Sequence, residues 1–142
     1  MSSKLRVVLD TNILLVSISS KSKYHWIFKN LLNNKYQLYV SNEVLLEYEE
    51  IISGRFSEEV AKSVIRTLLH LENVTLVTPF FKWDLIVNDK DDNKFVDCYL
   101  ISNSNVLVSN DKHFECLKSI EFPKVNVIKI DEFESLFQKL RN

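Results

Sequence analysis

Short apolar runs of strand character alternate along this chain with segments of helical periodicity, and no other feature of the sequence restricts the fold as much. Lys4 to Leu9, Tyr36 to Ser41, Asn73 to Thr78, Asn105 to Ser109 and Lys124 to Ile130 have strand length and apolar, often β-branched, composition. Between them, Tyr24 to Asn34 places Tyr24, Ile27, Phe28, Leu31 and Leu32 on one helical stripe. Glu43 to Ile52 reads as a helix whose end Gly54 marks, and Ser57 caps a second helix running to about Leu71. Pro79 stops the third strand, and an acidic loop follows. Asp92 to Ser102, Asp111 to about Ser119 and Asp131 to Leu140 complete the helices. Strands separated by helices require right-handed crossovers, so the expected architecture is a three-layer α/β/α sandwich around a central parallel sheet. With 142 residues and no linker, repeat or low-complexity tract, residues 1–142 read as one domain.

Acidic side chains recur where these runs end. Asp10 follows the first, Glu47 comes shortly after the second, Asp92 opens a helix and Asp111 follows Val106 to Asn110. In a parallel sheet such residues gather along the carboxyl edge, where open α/β folds place their sites. Carboxylates brought that close resist ionisation unless a cation sits among them. A divalent metal resolves the conflict, and phosphodiester chemistry is the reaction class it brings.

What the chain lacks narrows the choice further. A single glycine, Gly54, cannot build a Walker A loop or a dinucleotide fingerprint, both of which need several glycines for close approach to phosphates. No GxSxG elbow or HExxH motif occurs, so carboxylates are the candidates for any catalysis. Cys98 and Cys116 form no CxxC pair, which fits a reducing compartment and excludes a thiolate zinc site. The net charge of −1 and pI near 6.3 give no global attraction to nucleic acid, so contact must come from a local basic patch. No apolar run suits a signal peptide or approaches the ~20 residues of a membrane span. A soluble, cytoplasmic protein with no membrane partner is expected.

Each acid also has an ordinary structural reading. Asp10, Asp92 and Asp111 sit at expected helix starts, where aspartate is favoured because it accepts from free backbone N–H groups. The helical wheel places Asp92 with Phe95, Val96 and Tyr99 on the inward side and turns Asp97 away from them. Periodicity does not choose between Glu47 and Glu49, which border the apolar arc of Val44, Leu45, Tyr48, Ile51 and Ile52. Glu43 and Glu50 read as solvated. Asp89 and Asp91 belong to a polar loop, Asn88 to Asn93, for which a hydrated turn is the simplest account.

Four segments taken together resemble the PIN domain: Arg6-Val7-Val8-Leu9-Asp10-Thr11-Asn12-Ile13-Leu14, Ser41-Asn42-Glu43-Val44-Leu45-Leu46-Glu47-Tyr48, Asp89-Lys90-Asp91-Asp92-Asn93-Lys94-Phe95 and Val106-Leu107-Val108-Ser109-Asn110-Asp111. The likeness spans nearly the whole chain and is nearest to the stand-alone bacterial and archaeal branch that supplies toxins of toxin–antitoxin pairs. It implies a ribonuclease dependent on Mg²⁺ or Mn²⁺, with Asp10, Glu47, Asp92 and Asp111 as the acidic quartet, and so picks Glu47 over Glu49. Asp10, Asp92 and Asp111 are the implied metal ligands. Thr11, Asn12 and Ser109 match supporting polar positions that would orient them; Asp89 and Asp97 are supporting acids beside this set. Family members commonly carry Thr-Gly-Asp where this chain has Ser109-Asn110-Asp111, and small residues where it has Cys98 and Tyr99. Asn110 can take the left-handed conformation that glycine supplies.

The resemblance further implies water-attack hydrolysis giving 5′-phosphate and 3′-hydroxyl ends, an RNA substrate, a cognate antitoxin and a homodimer. Lys21, Lys23, His25, Lys94, Lys112 and His113 are candidates to meet phosphates, although solvated surface charge accounts for each as well. Tyr24 and Trp26 can stack on unpaired bases, but Tyr24 also fits the core stripe. Phe56, Phe80, Phe81 and Trp83 are candidates for a partner surface. Two rivals remain open at this point. The opening also resembles a haloacid-dehalogenase-type phosphatase motif, except that Asn12 replaces the second Asp that such chemistry requires. A catalytically silent RNA- or protein-binding module would keep the fold and its acids.

Overall fold

The computed structural model describes residues 4–87 and 89–140, so that Asn88 at the head of the polar loop lies outside the described residues. In chain order the elements are β1 (Arg6–Leu9), α1 (Thr11–Ser17), α2 (His25–Leu32), β2 (Gln37–Val40), α3 (Asn42–Arg55), α4 (Glu58–His70) and β3 (Val74–Leu76). A 3₁₀ turn (Lys90–Asp92), α5 (Asn93–Ser102), β4 (Val106–Val108), a 3₁₀ helix (Lys112–Ser119), β5 (Val127–Ile128) and α6 (Ile130–Leu140) follow. All strand pairs are parallel, in the order β3-β2-β1-β4-β5. The expected five-stranded parallel α/β architecture is the observed one.

Strand order places β1 at the centre, with the chain progressing to one side through β2 and β3 and to the other through β4 and β5. The direction of progression reverses between β1 and β4, and crevices at the carboxyl end of a sheet open at such switch points. Register aligns the two strands there, Leu9 opposite Val108. The Asp10 N–H donates to the Val108 carbonyl at 3.1 Å, which carries the ladder one residue past β1. Val7, Val8, Leu9, Leu107 and Val108 are wholly buried. Burial of a side chain of that size stabilises by about 1.5–3 kcal/mol.

Helices close both faces. The Tyr36 hydroxyl donates to the Ile27 carbonyl at 2.8 Å, and the Tyr36 ring stands edge-on to Phe133 and Phe137 of α6. Trp26 packs against the same two phenylalanines, so α2 and α6 share one aromatic seam. On α3 the buried Tyr48 donates to the Leu9 carbonyl at 2.6 Å, which ties that helix to the last residue of β1.

Several sequence expectations give way to local geometry. Gly54 lies inside α3, which runs to Arg55; Ser57 accepts from the Val60 N–H to start α4, leaving Phe56 and Ser57 to join the two helices. The segment after Asp111 is a 3₁₀ helix, not an α-helix, and its buried residues Phe114 and Leu117 are three apart, the period at which 3₁₀ side chains eclipse. Of the α2 stripe, Ile27 and Leu31 are buried whereas Leu32 is exposed; Ile51 of the α3 arc is exposed too. Asn110 does not use the left-handed conformation, for among the described residues the non-glycine positions with positive φ are Asn34, Asp84 and Asn103. Its side chain accepts from the Ile130 N–H at 3.2 Å instead, capping α6. Asp97 is buried, contrary to the outward placement from the wheel, because the segment after Pro79 folds over that flank of α5 and the Trp83 N–H donates to its Oδ1 at 3.1 Å.

Candidate active site

Asp10 and Asp111 emerge from adjacent strands and line one cleft of about 240 Å³ with Asn12, Val16, Tyr24 and Asn110. Ser109 joins them: its hydroxyl donates to Asp10 Oδ2 at 2.8 Å and accepts from the Asp111 backbone N–H at 3.0 Å. Although Asp10 precedes α1, its side chain makes no capping hydrogen bond; its carbonyl accepts from Ile13 and Leu14 instead. The buried carboxyl is thereby left for the cleft. Burial, reinforced by the charges of Asp111 and Glu47, pushes its pKa up to about 6 against the pull of Ser109 and the Thr11 backbone N–H.

Asp92 enters from the 3₁₀ turn ahead of α5. It too makes no side-chain cap, and burial followed by the charges of Asp89, Asp10 and Asp111 raises its pKa to about 6, with His113 opposing. Its Oδ2 is shielded from solvent and has no hydrogen-bond partner. Asp111 differs, for its Oδ1 accepts from the His113 backbone N–H at 2.9 Å, so it caps the 3₁₀ helix while facing the cleft. Asp89 Oδ1 accepts from the Asp91 N–H at 3.2 Å, and its Oδ2 lies 3.3 Å from His113 Nδ1. Asp91 is exposed, as a hydrated turn requires.

Glu47 is already satisfied within the protein. Lys94 Nζ donates to its Oε1 at 2.7 Å, and the buried Thr11 hydroxyl donates to its Oε2. Lys94 therefore faces an internal carboxylate, not open solvent. Glu49 makes no such link and lines a separate groove between α3 and α4. Asn12 is exposed at the cleft, and Lys21, Lys23 and Lys112 are exposed. Lys23 lies over the Tyr24 ring, 5.1 Å from its centroid, beside a larger cleft that Tyr24 and Asn110 share with the first. His25 Nδ1 pairs with the Ser17 carbonyl at 2.8 Å. Asp97 stands apart from this cluster; burial raises its pKa against the Trp83 N–H, and the residue anchors a loop.

Two residues gain roles that the sequence did not assign them. His113 Nδ1 lies 3.3 Å from Asp89 Oδ2, 3.3 Å from Asp92 Oδ2 and 3.4 Å from Asp111 Oδ1. The sequence signal was its place two residues after Asp111, within one turn of it. Asn93 clamps the preceding loop: its amide accepts from the Ile86 N–H and donates to the Ile86 carbonyl, both at 2.9 Å. That clamp holds the approach to Asp92.

The donors suit a hard divalent cation. They are mainly carboxylate oxygens, Asp92 Oδ2 is an acceptor with nothing to accept from, and burial, with neighbouring acidic charge, makes Asp10 and Asp92 harder to ionise. Among the described residues, atoms of Asp89, Asp92 and His113 lie within 4.8 Å of one another, close enough to share one ion.

Solved structures with the same fold include VapBC2 from Rickettsia felis bound to a promoter DNA fragment, at 18% identity over 88% of this chain and 98% of that one, TM-score 0.60. Mycobacterium tuberculosis VapC20, a toxin that cleaves the sarcin–ricin loop, aligns at 18% identity over 81% and 97%, TM-score 0.59. The PIN domain endonuclease Utp24 aligns at 16% identity over 87% and 84%, TM-score 0.53. No curated protein matches the chain. The model of the PIN domain family matches residues 6–113, a span holding all four acids and most of the sheet, and the chain belongs to that family.

Proposed function

We propose that this chain is a metal-dependent ribonuclease acting as the toxin of a toxin–antitoxin pair. The observation that carries the reading is that Asp10 and Asp111 share a cleft at the β1/β4 switch point and lie near enough to Asp92 to add to its raised pKa, with burial the main cause of the rise to about 6 in both Asp10 and Asp92. Membership of the PIN family and likeness to structures described as a cleaving toxin and an endonuclease support it. Asp10, Asp92 and Asp111 hold Mg²⁺ or Mn²⁺. Such an ion supplies activation of water and stabilisation of the charge that develops on the phosphate.

The remaining work belongs to the chain. Ser109 keeps Asp10 turned into the cleft, and Thr11 with Lys94 holds the Glu47 carboxylate in one orientation, near enough for Asp10 to feel its charge. Lys21, Lys23 and Lys112 meet the phosphates on either side, consistent with their exposure. The absence of a carboxylate at Asn12 disfavours the phosphatase reading. No helix among the described residues is long and apolar enough to cross a membrane. The antitoxin is the expected protein partner and a homodimer the expected assembly; two of the similar structures are VapBC complexes.

The test is cleavage of end-labelled RNA by purified protein with Mn²⁺ or Mg²⁺, with and without chelator, beside Asp10→Asn. Metal-dependent products with 5′-phosphate ends, lost in the folded variant, are expected. Cleavage that survives the substitution refutes the assignment, and binding of RNA without cleavage under either ion favours the silent module.

A further inference from the structure

We infer that His113 is a nitrogen ligand of the metal in this site, which makes it a mixed nitrogen–oxygen centre that prefers a first-row transition ion over Mg²⁺. The inference rests on the metal-dependent reading above and extends it to a residue the acidic quartet does not contain. Three carboxylates, from Asp89, Asp92 and Asp111, come within 3.3–3.4 Å of the single atom His113 Nδ1. A ring nitrogen carries at most one proton and serves at most one of them as donor. Asp92 Oδ2, despite its proximity, receives no hydrogen bond. The imidazole is thus poorly explained as a hydrogen-bond donor to this cluster. It is well explained as one of several ligand atoms aimed at a common point, for the donor atoms of Asp89, Asp92 and His113 all lie within 4.8 Å of one another. Atoms bound to one ion at about 2.0–2.2 Å are separated by no more than that.

The backbone fixes this aim. The His113 N–H donates to Asp111 Oδ1 at 2.9 Å, so the residue that presents one carboxylate also sets the turn that swings the ring over the others. The ring is about half exposed, with room to adjust as an ion enters. Neutral imidazole binds first-row transition ions well, whereas Mg²⁺ prefers an all-oxygen shell. Replacing this one nitrogen by oxygen therefore shifts selectivity without removing the site.

Two measurements on the full chain test this. Pulsed electron paramagnetic resonance of the Mn²⁺-loaded protein reads nitrogen coupling directly, and selective ¹⁵N-histidine labelling assigns it without a substitution. Calorimetric titration with Mn²⁺ and with Mg²⁺ compares wild type, His113→Asp and His113→Asn. The expected result is histidine nitrogen coupling in wild type that vanishes in both variants. Mn²⁺ affinity is expected to fall on the order of tenfold or more, while His113→Asp binds Mg²⁺ at least as well as wild type. Mn²⁺ bound without histidine coupling overturns the inference and leaves the nuclease reading standing if RNA is still cleaved. Histidine coupling lost in the variants but without RNA cleavage upholds the ligand and refutes the nuclease. Failure to bind Mn²⁺ at all overturns both.

Discussion

Replacing Asp10 with Asn should destroy activity and stabilise the metal-free protein, a combination that separates a strained site residue from a structural cap. The folded-state pKa of Asp10 is raised from 3.8 to about 6. Between those values the folded protein keeps a proton that the unfolded chain has released, so stability falls as pH rises through that window and levels off above it. At about 1.4 kcal/mol per unit, ionising Asp10 in the folded protein costs about 3 kcal/mol at pH 8 and nothing below pH 4. Asn carries no charge, and its side-chain oxygen still accepts from Ser109, so it escapes the cost. For a chain of this size each kcal/mol moves Tm by roughly 2–4 °C. Asp10→Asn is therefore expected to melt up to roughly 6–12 °C above wild type at pH 8, the gap closing toward pH 4. Saturating Mn²⁺ should narrow the gap from the other side, since a ligand at 100 times its Kd stabilises wild type by about 2.7 kcal/mol. Differential scanning fluorimetry across pH 4–8, with chelator or with Mn²⁺, measures both effects. A pH-independent gap, or a variant less stable than wild type at pH 8, refutes the argument and returns Asp10 to the role of an ordinary helix-start residue.

Four other substitutions probe the surroundings of the acids. Tyr48→Phe removes a buried donor to the Leu9 carbonyl; urea unfolding should show a loss of about 1–3 kcal/mol with an unchanged m-value, and turnover should fall because that carbonyl immediately precedes Asp10. Asn93→Ala frees both backbone groups of Ile86, so amide exchange between Ile86 and Asp92 should accelerate far more than exchange in the central strands, and uniform acceleration would count against the clamp. Lys94→Ala should leave the salt dependence of RNA binding unchanged in an Asp10→Asn background, because Lys94 serves Glu47, whereas Lys23→Ala should lower the slope by about 0.7. A reduced slope in the Lys94 variant would place that lysine on phosphate instead.

The sheet was legible because its central strands are buried on both faces. Val7 to Leu9 and Val106 to Val108 have no solvent face to accommodate, so they appear as unbroken apolar runs, and the residues just past them are forced to the carboxyl edge. Where burial is one-sided or nearly complete, periodicity misleads. On α5, Phe95, Val96, Asp97, Cys98 and Tyr99 are all buried, so no polar face exists from which to judge Asp97. Its cover comes from a loop without periodicity, and only the Trp83 N–H explains why an acid is tolerated there. Gly54 misled for a related reason: the cap at Ser57 decides where the chain turns, and the glycine sits in regular helix before it.

The site divides by the same logic. Sequence places the four acids of the quartet on one edge, and only the family resemblance sets Asp10, Asp92 and Asp111 apart as metal ligands, because a one-dimensional pattern carries no information about which carboxylate meets a cation of its own. The structure separates them. Glu47 is closed off by Lys94 and Thr11, whereas Asp89, Asp92 and Asp111 converge on one imidazole nitrogen, and Asp10 has only a serine hydroxyl as its side-chain partner. Three carboxylates around a single ring that carries at most one positive charge, with Asp10 near enough to Asp92 and Asp111 for their charges to interact, leave an excess of negative charge in a half-buried cleft, and this adds to burial in raising the pKa values of Asp10 and Asp92. A cation of charge +2 entering on the His113 side relieves that excess without disturbing the Glu47–Lys94 pair. The acids without a lysine partner are therefore the ones we propose hold the metal, and Glu47, fixed by Lys94 and Thr11, stays outside that set.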